Sequence, residues 1–169
     1  WSSALAWTDT KSVAYPSVGV SAILTELLPI KNNVLTFLKV RGSYSEVGNA
    51  PTRYIAYQTY PYESASPVTA TTYPNTDIKP ERTKAWEVGL QSHLWNDKLE
   101  LNVSLYKTST YNQLFNPSIS ASSGYSSIYI NGGQVDNKGI EASLTLNQPL
   151  GPVQWNSTFT YTINRNKIK

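Results

Sequence analysis

The chain has 169 residues, no Cys or Met, 15% charged residues, 12 Tyr and a net charge of +3. Zero cysteine excludes a disulfide framework and thiolate chemistry, and no run of about 18 apolar residues offers a transmembrane helix. A positive charge so small and scattered gives no nucleic-acid footprint, so no nucleic-acid partner is expected.

Residue 1 is Trp, and no basic stretch precedes an apolar one, so no secretory signal is read at the start. The expectation is either a soluble protein or one partial domain, 1–169, cut from a longer one. Trp1 to Ala14 reads as loop. Residues 15–24 alternate, with Val18, Val20, Ala22 and Leu24 on one side, and predict a first strand. Thr25 to Val34 reads as a turn containing Pro29 and Asn32-Asn33. A second strand is expected over 36–47, with Leu38, Val40, Gly42 and Tyr44 facing away from Lys39, Arg41, Ser43 and Ser45. Residues 48–80 form a long connection rich in Pro, Thr, Ser and Tyr, a length that is usually functional. Strands over 82–95 and 98–114 are joined by the hairpin signal Asn96-Asp97. A second long loop covers 116–133. Strands over 134–148 and 153–165 meet across Pro149-Leu150-Gly151-Pro152.

Period-two alternation over ten or so residues gives each of these strands one apolar and one polar face. Strands of ordinary domains run to about 5–6 residues, whereas a bilayer-spanning strand needs about 9–11. With Asn96-Asp97 as the turn, Leu94 opposes Leu99, Leu90 opposes Val103 and Val88 opposes Leu105, and a one-residue slip would scatter the apolar row. In the last hairpin Leu146 is expected near Trp155 and Ala142 near Phe159. The fold class is therefore all-β, an antiparallel up-and-down meander of about six long strands. Its short turns alternate with long loops, as in outer-membrane barrels. Val88, Leu90, Leu101, Val103, Leu105, Ala142, Leu144 and Phe159 are expected to face lipid. An isolated piece of such a wall is expected to twist or curl to hide that face.

Lys84, Lys107, Lys138 and Arg165 each end an apolar row on the loop side, with Trp86, Tyr44 and Tyr161 expected at a similar height and Trp155 near the turns. They read as headgroup-level cations, where lipopolysaccharide phosphates are met, with aromatic girdles beside them. The plainer reading is that they end strands and snorkel into water.

No catalytic constellation is present, and neither enzyme activity, cofactor nor metal is expected. His93 is the single histidine, placed on the polar face as a lumen residue. Glu87, Glu100 and Glu141 share that face, where acids meet water or bases such as Lys39 and Arg41. Candidate substrate or partner contacts lie in the loops: Arg53, Tyr54, Tyr57, Tyr60, Tyr62 and Tyr73 in the first, Tyr125 and Tyr129 in the second. Tyrosine offers a flat ring with a polar tip, suited to a sugar ring or a protein surface. Packing of the loops on one another is the plainer alternative. A soluble β-sandwich with Tyr-rich carbohydrate-binding loops is the rival to the barrel, since sandwich strands also alternate.

Several segments resemble one family. Trp1-Ser2-Ser3 and Tyr15-Pro16-Ser17-Val18 come first. Leu38-Lys39-Val40-Arg41-Gly42-Ser43-Tyr44 follows, with Val47-Gly48-Asn49. Next come Lys79-Pro80-Glu81-Arg82-Thr83 with Trp86-Glu87-Val88-Gly89-Leu90, and then Asn137-Lys138-Gly139-Ile140-Glu141. In this order they are similar to the SusC/RagA-type TonB-dependent outer-membrane transporters of Bacteroidetes. The resemblance implies a barrel of about 22 strands with a plugged lumen, in the outer membrane of a Gram-negative cell. It further implies a SusD-like lipoprotein and TonB as partners, and import of an oligosaccharide or peptide. This chain reads as six strands of that wall.

Overall fold

The computed structural model describes residues 8, 12–30, 32–52, 55–56, 62–63, 66–67 and 71–169, the side chains of 62–63 and 66–67 excepted. Its strands, in chain order, are β1 (Ser17–Ile23), β2 (Leu35–Asn49), β3 (Tyr62–Glu63), β4 (Ser66–Pro67), β5 (Thr72–Tyr73), β6 (Glu81–Leu94), β7 (Leu99–Phe115), β8 (Ser127–Ile128), β9 (Ile130–Leu150) and β10 (Val153–Ile168). One helical turn, α1 (Leu24–Leu27), follows β1. It occupies part of the segment read as a turn, and its buried Thr25 accepts the Leu38 N–H through Oγ1 at 3.3 Å.

β1, β2, β6, β7, β9 and β10 form one antiparallel sheet in that order, each strand beside its sequence neighbour among the six. No second sheet packs against it among the described residues; the remaining pairings join two-residue strands, β3 with β4 and β5 with β8. A sandwich needs two facing sheets, so the β-sandwich reading is overturned.

The first hairpin pairs Leu94 with Leu99, Leu90 with Val103 and Val88 with Leu105. Its turn, between Leu94 and Leu99, holds three successive left-handed residues, Trp95, Asn96 and Asp97, with φ of 52°, 55° and 63°, a conformation that Asn and Asp tolerate best. The last hairpin departs from expectation. Leu146 pairs with Ser157 and Ala142 with Tyr161, two residues out of the expected register, because β9 runs on through Pro149 and only Gly151-Pro152 turn. Pro149 fits there because β7 no longer flanks β9 at that height, its last partner being Leu146. The shift is even, so every side chain keeps its face.

The two long connections are not bare loops. β5 and β8 bring them together in parallel, and Asn131 clamps the first: its Oδ1 accepts the Lys79 N–H at 2.7 Å, while its Nδ2 donates to the Lys79 carbonyl at 2.8 Å. The same Nδ2 reaches the Asn112 carbonyl at 2.8 Å. Among the described residues the buried apolar side chains are Pro51, Ala56, Ile78 and Pro80, Ile78 being 1% exposed, and all belong to the first connection rather than the sheet. The sheet thus contributes no apolar core of its own.

Candidate functional site

The register sorts the side chains into two faces. One face carries the row Val20, Gly42, Val88, Leu105, Ile140 and Ile163, then Ala22, Val40, Leu90, Val103, Ala142 and Tyr161, then Leu38, Ser92, Leu101, Leu144 and Phe159. Below these come Leu35, Leu94, Leu99 and Leu146. All eight positions read as lipid-facing share this face, and no charged residue interrupts these rows. None of the eight is buried: Leu101, Val103 and Ala142 are half-buried and the other five are exposed, Val88 at 52% and Phe159 at 67%. The sheet therefore does not hide its apolar face within this chain. From Ile140 to Leu150, ten residue steps cover roughly 34 Å at about 3.4 Å each; a tilt of about 40° projects this to roughly 26 Å, close to the apolar band of about 25 Å on such barrels.

On the loop side the band ends in a single cross-strand row, Val18, Tyr44, Trp86, Lys107, Lys138 and Arg165. Lys84 lies one row further out, opposite Glu46 and 3.7 Å from its carboxylate. Arg82 also pairs with Glu46, and the Tyr44 hydroxyl donates to Glu46 at 2.6 Å. Asp136, in the same outer row, accepts from Lys169 at 2.6 Å. That carboxylate raises the Lys169 ammonium above the usual lysine range, through its hydrogen bond and its charge. Tyr161 does not share the height of Trp86; it sits opposite Ala142, two rows toward the turns, one of them owed to the register shift of the last hairpin.

The other face is predominantly polar, with Ile23, Phe37, Val47, Ala85 and Val135 among its apolar exceptions, and is held by cross-strand bonds. Arg41 lies across the sheet, donating to Glu87 at 3.1 Å and to Ser104 at 2.6 Å. It can lie flat because position 89 is glycine: a Cβ there would stand 2.6 Å from Arg41 Nε. Tyr106 uses Gly139 in the same way, with its hydroxyl 2.5 Å from where a Cβ would be. Arg41, Ser43, Glu87, Ser104, Tyr106 and Glu141 line one shallow polar depression. Sequence reading named Arg41 as a partner for the acids but missed both glycine-made beds, since nothing local marks which residue lies over a glycine on the adjacent strand. Glu100 accepts from Asn147 at 3.1 Å. His93 packs against the Phe37 ring at 4.8 Å between centroids and bonds Asp97 at 2.8 Å. No group of His, Cys, Asp or Glu suited to a metal occurs among the described residues.

Of the loop residues, Tyr73 and Tyr125 meet edge to face, 5.2 Å between centroids. The Tyr129 carbonyl accepts from Asn75 at 2.9 Å. These three belong to the junction between the two connections. Arg53, Tyr54, Tyr57, Tyr60 and the Tyr62 side chain lie outside the described residues.

A single antiparallel meander of long strands, polar on one side and apolar on the other over a bilayer's depth, is the wall of a transmembrane β-barrel. More narrowly, the chain belongs to the TonB-dependent receptor-like β-barrel family, whose pattern it matches over residues 2–169. Barrels of this family are outer-membrane proteins concerned with nutrient import. The chain is 30% identical to TonB-dependent receptor P3 of Formosa agariphila over 95% of its own length and 17% of that relative's. TonB-dependent receptor P26 of the same organism is 28% identical, again over 95% and 17%. The chain thus spans about a sixth of these relatives. In three dimensions it is similar to the RagAB peptide importer in its open-open state: TM-score 0.81 and 23% identity, over 95% of this chain and 18% of that one. The siderophore receptor PirA from Pseudomonas aeruginosa gives a TM-score of 0.53 at 16% identity, over 89% and 28%.

Proposed function

We propose that this chain is a wall segment of a SusC/RagA-type importer in the outer membrane of a Gram-negative bacterium. In this reading the native protein takes up an oligosaccharide or peptide, works with a SusD-like surface lipoprotein and draws on TonB. The observation that carries it is the band of uncharged apolar rows set back to back with a predominantly polar face, in a chain of this family. The ordered sequence motifs and the fold shared with the RagAB peptide importer support the SusC/RagA branch. β1 and β10, the sheet's outer strands, would then pair with neighbouring wall strands, and Arg41, Tyr106 and Glu141 would face the lumen.

The junction of Tyr73, Tyr125 and Tyr129 ties the two long connections to each other, which favours loop–loop organisation at the barrel mouth over direct substrate contact by these rings. The test is uptake by cells carrying the native gene or its deletion, with labelled peptides and labelled oligosaccharides offered separately. Gene-dependent, uncoupler-sensitive uptake of one class is expected, together with a surface lipoprotein that co-purifies in mild detergent. Uptake that is independent of the gene for both classes would reject the proposal.

A further inference from the structure

We propose that Lys107, Lys138 and Arg165 form one seat for the phosphate of an anionic lipid headgroup in the leaflet on the long-loop side. The inference rests on the reading that the apolar face meets lipid. It goes beyond the expectation of cations scattered at headgroup height, because the register makes three of them direct cross-strand neighbours: Lys107 opposite Lys138, and Lys138 opposite Arg165.

Like charges placed directly opposite on adjacent strands repel. A counter-charge is needed, and this face does not supply one. Its acids are Glu46 and Asp136, both one row further out. Glu46 is taken by Arg82 and Lys84, and Asp136 by Lys169. Among the described residues Lys107, Lys138 and Arg165 make no ion pair. The fourth expected cation, Lys84, shares Glu46 with Arg82 one row further out and stands outside the seat.

The surroundings select the occupant. Directly below the row stand Leu105, Ile140 and Ile163, which would meet acyl chains, and beside it Trp86, 44% exposed, suits the polar–apolar boundary. A ligand here would place a multiply charged anion above hydrocarbon, which describes a phosphorylated lipid. Two ammonium groups and a guanidinium within reach of one another bind phosphate oxygens through charge-assisted bonds.

The test uses the native protein purified in neutral detergent with EDTA, so that no divalent ion bridges phosphates. Diphosphorylated lipid A, chemically dephosphorylated lipid A and phosphatidylcholine are offered at equal concentration, and retained lipid is counted by native mass spectrometry. Retention of the diphosphorylated form is expected to exceed that of the other two by about tenfold or more. The triple variant K107Q/K138Q/R165Q should lose that preference, whereas Lys98→Gln, at the turn side, should keep it. Equal retention of phosphorylated and dephosphorylated lipid overturns the proposal whether or not the triple variant assembles. An unchanged preference in the triple variant overturns it too, as does displacement of lipid A by equimolar inorganic phosphate, which would assign the seat to the free ion. Quenching of Trp86 by brominated acyl chains, read as the difference from Trp86→Phe, tests the underlying lipid-face reading separately. If Trp86 is quenched and the phosphate preference is missing, only the seat fails.

Discussion

Leu90 and Gln91 adjoin in sequence and point to opposite sides of the sheet. Leu90 sits mid-band between Val40 and Val103, and Gln91 between Lys39 and Asn102. Leu90→Arg is expected to destabilise the assembled barrel by roughly 2–4 kcal/mol if position 90 lies near the bilayer midplane. Gln91→Arg should assemble like the parent, with heat-modifiable mobility of the membrane-inserted protein as the readout. At Gly89 the expected effect is on geometry rather than assembly. An added methyl meets the mid-length of a flexible side chain, so Arg41 lifts and its bond to Glu87 is lost. Glu87→Gln should therefore cost less in a Gly89→Ala background than alone, a coupling under about 1 kcal/mol for so exposed a pair. The face of each residue was legible because alternation is local. The beds for Arg41 and Tyr106 were not, because a bare backbone patch acquires meaning only when a long side chain from a neighbouring strand arrives on it.

Hairpins show where element-scale reading succeeds and fails. Asn96-Asp97 marks its own turn chemically, so the register of β6 against β7 follows from counting outward. Pro149 misleads: it reads as turn but is strand, tolerated where β9 has lost β7 as a neighbour. A disulfide test separates the alternatives. In a Leu146→Cys background, Ser157→Cys should cross-link readily and Trp155→Cys poorly, since direct partners approach to about 4.5–5.5 Å and diagonal ones stand about 7–8 Å apart. The connections were the least legible part, because the Asn131 clamp on Lys79 spans 52 positions and carries no local signature. Asn131→Ala removes the two bonds that hold the first connection, at Lys79, against β9, and a third from β9 to the Asn112 carbonyl of β7. It should speed proteolytic cleavage within residues 50–80, while Asn116→Ala, exposed and without such bonds, should leave the rate unchanged.

At the scale of the whole molecule, the energetics follow from what the sheet lacks. Apolar burial is the dominant favourable term in folding, yet this sheet's large apolar side chains remain uncovered while its polar face is tied together strand by strand. On the proposed reading the stabilising burial comes from outside this chain, from hydrocarbon, an environment that is apolar, continuous and free of polar groups to satisfy. Purified protein is accordingly expected to stay monodisperse in detergent and to associate when detergent is diluted out; a chain monodisperse without any amphiphile would contradict this. The most direct measurement places nitroxide labels at Val103 and Leu144, and at their neighbours Asn102 and Ser143, in the native protein in bilayers. Labels at Val103 and Leu144 should collide freely with oxygen and rarely with a water-soluble nickel chelate, and the neighbouring pair should show the reverse. Val103 and Leu144 labels that are immobilised and reached by neither probe would mean that packed polypeptide, not lipid, covers the apolar face.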